Sequence, residues 1–382
     1  MWISGLKLVN WKNFTRIEVD LTPRLFLVGP NASGKSNFLD AIRFLRELVI
    51  PGGGFQKAVL DRGDISKIRC LAARRSADLA IEVALSNHEG QVKPSWRYRI
   101  SFSQDNNKNP ILKEEKVWKE TEILLERPSP EDKKDPARLS QTALEQINEN
   151  KNFREIPEFF KKIFYFHLVP HLIRNSAYAV YAPQNDPFGR DLLVQMARSM
   201  AKRRQSRLKK IESILKLAVP QLQSLAMIRD HRGRPHLRVK YEHWRYDAEH
   251  NEEMFSDGTL RLIGLLWSLF EGDGPILLEE PELSLHPGIV RHLAPLMFRL
   301  LQKRKRQVRQ VIMSTHSPEL LSDPGIGGEE ILLFIPYAEG TKVEPASSYS
   351  AIRALLESGM TVADAALPYT EPVKFQHLSL FQ

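Results

Sequence analysis

Gly29-Pro30-Asn31-Ala32-Ser33-Gly34-Lys35-Ser36 is a complete G-x-x-x-x-G-K-S run, the pattern that cradles phosphates. The apolar run Leu25-Phe26-Leu27-Val28 precedes it, and Phe38, Leu39, Ile42 and Leu45 follow at helical spacing. A strand–loop–helix setting is therefore predicted. In that setting backbone N–H groups around Gly34 wrap the phosphates, helped by the positive end of the helix dipole. Lys35 would neutralise the outer phosphates and the Ser36 hydroxyl would ligate Mg²⁺. The chemistry implied is the binding of ATP with Mg²⁺.

A second set of residues suits hydrolysis. Pro275-Ile-Leu-Leu-Glu279-Glu280-Pro281 reads as an apolar strand ending in two carboxylates, a Walker B pattern. Glu279 would reach the Mg²⁺ shell, directly or through water, and Glu280 would orient or deprotonate the water that attacks the γ-phosphate. A solvated acidic turn is the competing reading of this pair. Next, Ser314-Thr315-His316-Ser317 follows the strand-like Val311-Ile312-Met313, which makes His316 a candidate γ-phosphate sensor. Upstream, Phe255-Ser256-Asp257-Gly258-Thr259 opens a helical pattern through Leu260, Ile263, Gly264 and Trp267. Ser256 and Gly258 at a helix N-terminus form either an anion site or an N-cap without a ligand.

The elements that must position these groups read as follows. Residues 1–50 form strands feeding the phosphate loop and its helix, closed by Pro51-Gly52-Gly53-Gly54. Leu79–Leu85 alternates, as do Trp96, Tyr98, Ile100 and Phe102, which predicts antiparallel strands with one wet face that Val117 and Trp118 continue. From about residue 120, Pro128, Pro130 and Pro136 punctuate a charged stretch, and helices are expected around 137–150, 155–166 and 190–218. Alternation returns at Leu237, Val239, Tyr241 and His243. The expected organisation is an N-terminal lobe over 1–119, a mainly helical insertion or lid over 120–235, a C-terminal lobe over 236–344, and a tail over 345–382. Within that tail, Ile352, Leu355 and Leu356 suggest a short helix.

Composition sets the bounds. With 382 residues the chain can bury a large core. Its single cysteine, Cys70, excludes a disulfide framework and a thiolate metal site. No stretch approaches a membrane span, and the N-terminus does not read as a signal peptide, so a cytoplasmic protein is expected. The formal charge of +9 points to polyanionic partners, nucleic acid first. Two basic clusters would serve such a partner or simply be solvated faces: Lys202, Arg203, Arg204, Arg207, Lys209 and Lys210, and Lys303, Arg304, Lys305, Arg306 and Arg309.

Taken in order, GPNASGKS, FSDGT, ILLEEPELSLHP and STHS resemble the head domain of ABC-type ATPases. More closely, the set resembles the bacterial RecF/SMC-like predicted ATPases related to the OLD (overcoming-lysogenization-defect) nucleases. Leu8-Val9-Asn10-Trp11-Lys12-Asn13-Phe14 also looks like that family's first strand pair. The resemblance implies an α/β P-loop NTPase of ABC-ATPase head type: a mixed sheet, an antiparallel β-subdomain and a helical insertion. It implies a homodimer with ATP sandwiched between two heads, Ser256 and Gly258 acting in trans, and Gly29 to Ser36, Glu279, Glu280 and His316 in cis. Glu282 to His286 would cross the dimer interface. The family's Mg²⁺-contacting glutamine is not readable; Gln56 and Gln184 are both candidates. Asp257 and Thr259 stand where transporters carry glycine and glutamine, and Glu279 replaces aspartate.

Two function classes remain open. One is a slow ATPase acting on or sensing DNA in repair or phage defence. The other is an ATP-driven switch that recruits or restrains a separately encoded effector, a nuclease or toxin, without binding DNA. An ABC transporter subunit is a distant third. A fused Toprim-type nuclease is not expected, because the chain has no Asp-x-Asp pair.

Overall fold

The computed structural model describes residues 1–73, 78–88, 90–91, 93–175, 186–242, 249–302 and 309–370. Its centre is a six-stranded mixed sheet in the order β15-β14-β3-β13-β12-β8. Here β3 is Arg24–Val28, β8 Phe164–Phe166, β12 Ile276–Glu279, β13 Val311–Thr315, β14 Ile331–Tyr337 and β15 Gly340–Pro345. All neighbours are parallel except β14 and β15. The parallel strands are continuous apolar runs because both faces are covered. In β3, Leu25 and Leu27 point into one core while Phe26 and Val28 point into the other.

A second sheet, fully antiparallel, runs in the order β2-β1-β4-β5-β6-β7. Its strands are β1 Trp2–Trp11, β2 Phe14–Asp20, β4 Leu79–Ser86, β5 Trp96–Gln104, β6 Pro110–Lys119 and β7 Glu122–Arg127. Alternation sends Ile81, Val83, Tyr98, Ile100 and Phe102 inward, where they meet the phosphate-loop helix Lys35–Glu47 through Phe38, Ile42 and Phe44. That helix is held between the two sheets. On the far face of the central sheet lies the helix Asp257–Phe270, with Leu260, Ile263 and Leu266 buried.

The stretch expected to be mainly helical is mixed. It contains β7 and β8 as well as β9, Leu222–Arg229, which pairs with β10, Pro235–Tyr241, and through it with β11, Glu249–Asn251. The longer helices there are Glu155–Lys161, Leu192–Arg198 and Ala201–Ala218, beside the short Pro130–Lys134 and Pro170–Arg174; the expected 137–150 helix is short 3₁₀ turns. The 190–218 helix breaks at Ser199 and Met200, whose backbones are extended. At 18 residues, Ala201–Ala218 is the longest helix among the described residues, about 27 Å. The strand β8 was hidden because three aromatic residues are too few to show a period; only parallel pairing with Ile276–Leu278 defines it. In the tail, Ile352 and the helix Val362–Ala366 pack into the second core. His243 and residues 371–382 lie outside the described residues. Among the described residues, no helix is long and apolar enough to cross a membrane.

Candidate functional site

The carboxyl ends of β3, β12 and β13 lie side by side, with Thr315 opposite Val28 and Glu279 opposite Ser314. Register alone therefore brings the phosphate loop, the two carboxylates and His316 to one edge, the usual ligand edge of an open parallel sheet.

The phosphate loop is built around Gly34, at φ 98°, whose amide leads into the helix. A Cβ on Gly34 would lie 2.1 Å from Asn13 Nδ2, so glycine is required by both backbone and space. Asn13 laces the loop in place. Its Nδ2 donates to Ser33 O and to Thr341 Oγ1, both at 2.8 Å, and its Oδ1 accepts from Asn37 Nδ2 at 2.9 Å. Trp11 Nε1 adds a 3.0 Å bond to Asn37 O. Lys35 is buried, and its Nζ donates to Gly29 O at 2.7 Å and Pro30 O at 3.0 Å. Burial pushes its ammonium below the ordinary lysine value, against the pull of Glu280, Glu282 and Glu279.

Ser36 Oγ donates to Glu279 Oε1, and Tyr165 on β8 donates its hydroxyl to Glu279 Oε2. Burial, then the charge on Glu279, raises the Tyr165 phenol above its ordinary value and keeps it a donor. His167, just past β8, places Nδ1 3.7 Å from Glu279 Oε2; that nitrogen is buried without a hydrogen bond. A hydroxyl and a carboxylate converging at one point are hard oxygen donors of the kind Mg²⁺ takes. The residues fit the ion.

Glu280 adopts φ 42°, a left-handed backbone rare outside glycine, and its N–H donates to Ser314 O at 3.1 Å. This aims its carboxylate at His316: Oε1 is 3.2 Å from Nδ1. Glu282 turns inward within its own chain. It is 6% exposed and accepts a 2.5 Å bond from Thr315 Oγ1. Burial raises its carboxyl above the ordinary glutamate value.

Ser256 caps the helix Asp257–Phe270, accepting from Thr259 N at 3.2 Å. A Cβ on Gly258 would lie 2.5 Å from Ser284 O, so the signature turn, Phe255 to Thr259, and the loop after Walker B touch within one chain. Arg174 fixes the turn from the side, donating to Phe255 O at 2.7 Å and Asp257 Oδ1 at 2.5 Å. Gln56 does not join the site: its amide donates to Pro110 O and Ser140 O. Gln184 lies outside the described residues.

Of the basic clusters, Lys202, Arg203, Lys209 and Lys210 on the helix Ala201–Ala218 are exposed. Arg204 donates to Ala197 O and Ser199 O, and Arg207 pairs with Glu271 and stacks on Trp267. Arg309 is a correction: it is buried and its guanidinium ties Gly274 O to Ser268 O, a structural task. Lys303, Arg304, Lys305 and Arg306 lie outside the described residues.

Sequence reasoning missed Asn13, Tyr165, His167 and the Glu282–Thr315 pair. Each acts across a gap in the chain that no local period encodes.

Residues 25–322 match the family model described as "AAA domain, putative AbiEii toxin, Type IV TA system". Endonuclease GajA of Bacillus cereus (strain VD045) is 32% identical over 89 residues, 23% of this chain and 14% of that protein. The DNA replication and repair protein RecF of Streptococcus agalactiae (serotype Ia) is 46% identical over 46 residues, 12% of each chain. RecF of Rickettsia akari (strain Hartford) is 34% identical over 103 residues, 26% of this chain and 27% of that one. The matches thus span no more than 27% of the length of these relatives. Among solved structures, an SMC head bound to the C-terminal winged-helix domain of ScpA has a TM-score of 0.54 at 15% identity, covering 90% of this chain and 97% of that one. The SMC head domain of Pyrococcus furiosus, with an extended coiled coil and bound to the C-terminal domain of ScpA, has a TM-score of 0.54 at 13% identity, covering 94% and 99%. The fold is the α/β head of RecF/SMC-like ABC-type ATPases, as its motifs imply.

Proposed function

The chain belongs to the AAA-domain family described as putative AbiEii toxin, Type IV TA system, and from that premise we propose that it is a slow Mg-ATP hydrolase whose two heads close around nucleotide. The observation that carries this reading is the 3.2 Å approach of Glu280 to His316 on the sheet edge that also presents Lys35 and the Ser36–Glu279 pair.

In this reading residues 29–36 and Lys35 bind the triphosphate, and Ser36 and Glu279 hold Mg²⁺, which would supply charge neutralisation across the outer phosphates. Glu280 orients the attacking water and accepts its proton; His316 donates to a γ-phosphate oxygen and keeps the Glu280 carboxylate aimed. Ser256 and Gly258 of the partner head complete the site. Turnover is slow because two heads must close and reopen in each cycle. The same reading places the protein in the cytoplasm and gives the ATP-bound dimer a DNA-linked task, in repair or phage defence. The exposed Lys202, Arg203, Lys209 and Lys210 support it.

A second reading, an ATP-driven switch for a separately encoded effector, draws on Arg204 and Arg207. Their guanidiniums are spent on internal partners, which thins the basic surface. Light scattering of Glu280→Gln with and without Mg-ATP, then with duplex DNA, tests both. A dimer that forms with ATP and retains DNA supports the first; reversing the charges of Lys202, Arg203, Lys209 and Lys210 should then abolish retention. A dimer indifferent to DNA favours the second. A monomer under all conditions would sink the closure mechanism.

A further inference from the structure

Among the described residues, the loops that carry Glu280 and His316 are joined by more than the pair itself. Glu280 N–H donates to Ser314 O at 3.1 Å and lies 3.3 Å from Ser314 Oγ, which ties the first loop to the end of β13. Beyond it, Thr315 Oγ1 donates to Glu282 Oε1 at 2.5 Å and accepts from Ser317 N at 3.0 Å. Thr315 is fully buried, Glu282 is 6% exposed and Ser317 is 9% exposed, whereas His316 between them is exposed. Ser317 is pinned in turn, because its Oγ accepts from Leu320 N at 3.3 Å and caps the helix Pro318–Leu321. His316 is thus an exposed side chain between two anchored residues, with Glu280 as its partner. From the facing loop, the side chain of Glu282 holds Thr315, the neighbour of His316.

We propose that Thr315 and Glu282 are positioning residues: their buried bond is a rung that sets the His316 imidazole against Glu280, acting on the chemical step and not on ATP binding. The geometry requires it to work this way. Strand pairing fixes Ser314 against Glu279, but His316 lies two residues past that register, where one rotated peptide would swing the imidazole away. A hydroxyl that accepts from one side and donates to the other is polarised in both bonds, which stiffens the turn. Glu282 Oε2 is buried without a partner, so this carboxyl makes its side-chain bond through Oε1 alone. A buried carboxyl with one oxygen unbonded is costly for a merely structural prop.

This inference rests on the ATPase reading, so the test carries a readout that does not need turnover. In Thr315→Val the rung loses its hydroxyl at nearly constant volume; in Thr315→Ser it keeps it. The same Val change is repeated with Glu282→Gln, so that no charge is left buried if the single variant folds poorly. Three quantities are measured: kcat, the Kd for ATP, and the His316 imidazole resonance, assigned with His316→Gln. Thr315→Val is expected to lower kcat roughly tenfold to a hundredfold, leave the ATP Kd within about twofold, and shift the resonance, with Thr315→Ser restoring both. An unchanged kcat, or an ATP affinity that falls in parallel, would overturn the rung. If the wild-type protein hydrolyses no ATP, the ATPase reading fails, and the resonance alone decides: shifted by Val and not by Ser supports the rung, unshifted by either refutes it.

Discussion

Ser36 and Glu279, 243 positions apart in the chain, share a hydrogen bond from the serine hydroxyl to Glu279 Oε1. The opposite oxygen of the same carboxylate is held by the Tyr165 hydroxyl. A glutamate is one methylene longer than the aspartate usual at such a position, and the phenol behind it fixes where the extra length ends. Tyr165→Phe should therefore loosen the carboxylate without touching the phosphate loop. The expected outcome is a Mg²⁺ requirement for ATP binding raised about tenfold, with metal-free ATP affinity unchanged. Titrating Mg²⁺ against binding of a fluorescent ATP analogue measures it. An unmoved midpoint would mean that Glu279 needs no support from Tyr165.

Gly34→Ala tests the loop from the other side. The new methyl must share space with the Asn13 amide and sit on a backbone at φ 98°. The strain alone costs about 1–3 kcal/mol. Both thermal stability and ATP retention should fall. Asn13→Ala in the same chain should recover part of the stability, because it removes the clash but not the backbone strain.

A buried cluster beneath the antiparallel sheet gives the protein a specific acid sensitivity. Arg127 bonds Asp132 through Nε at 3.0 Å and Nη2 at 2.8 Å, and pairs with Glu115 at 3.1 Å. The Arg127 hydrogen bonds hold the Asp132 carboxyl well below its ordinary 3.8. A depressed carboxyl contributes stability that is full above the unfolded value and is lost as pH falls through the folded one. Asp132→Asn should thus cost about 3 kcal/mol at pH 7, with the gap to wild type closing progressively below pH 3.8. Urea unfolding at several pH values reads this directly, and a gap independent of pH would refute the assignment.

The sequence disclosed the parts of this molecule whose information is local. Gly29 to Ser36 carries its own turn chemistry, Ile276–Glu279 and Val311–Thr315 are apolar runs ending in polar residues, and Trp96–Phe102 alternates along its length. What stayed hidden is what depends on register. Tyr165 matters because β8 pairs with β12, and Asn13 because β15 brings Thr341 beside the phosphate loop. The resemblance put Glu282 in a loop reaching a dimer interface and gave no sign of the Thr315 hydroxyl that donates to it from 33 residues away. Arg309 read as one of a basic run, although its partners Gly274 and Ser268 lie across the sheet edge.

A change at Gly258 should separate nucleotide binding from the proposed head closure. It sits in the first turn of the helix capped by Ser256, with its α-carbon against the Ser284 carbonyl of the loop after Walker B. A methyl there would meet that oxygen at 2.5 Å, so Gly258→Ala must push the signature turn away from the loop. None of the hydrogen bonds that hold the phosphate loop passes through this contact: Asn13, Lys35 and Asn37 are bonded elsewhere. ATP affinity of the single head should therefore stay within about twofold. In the proposed closure of two heads the turn presents Ser256 and Gly258 to a second nucleotide, and a shift of about 1 Å in such a contact costs on the order of a hundredfold. Combined with Glu280→Gln, the variant should bind ATP and remain monomeric in light scattering. A dimer that formed as readily as in Glu280→Gln alone would remove the signature turn from the interface.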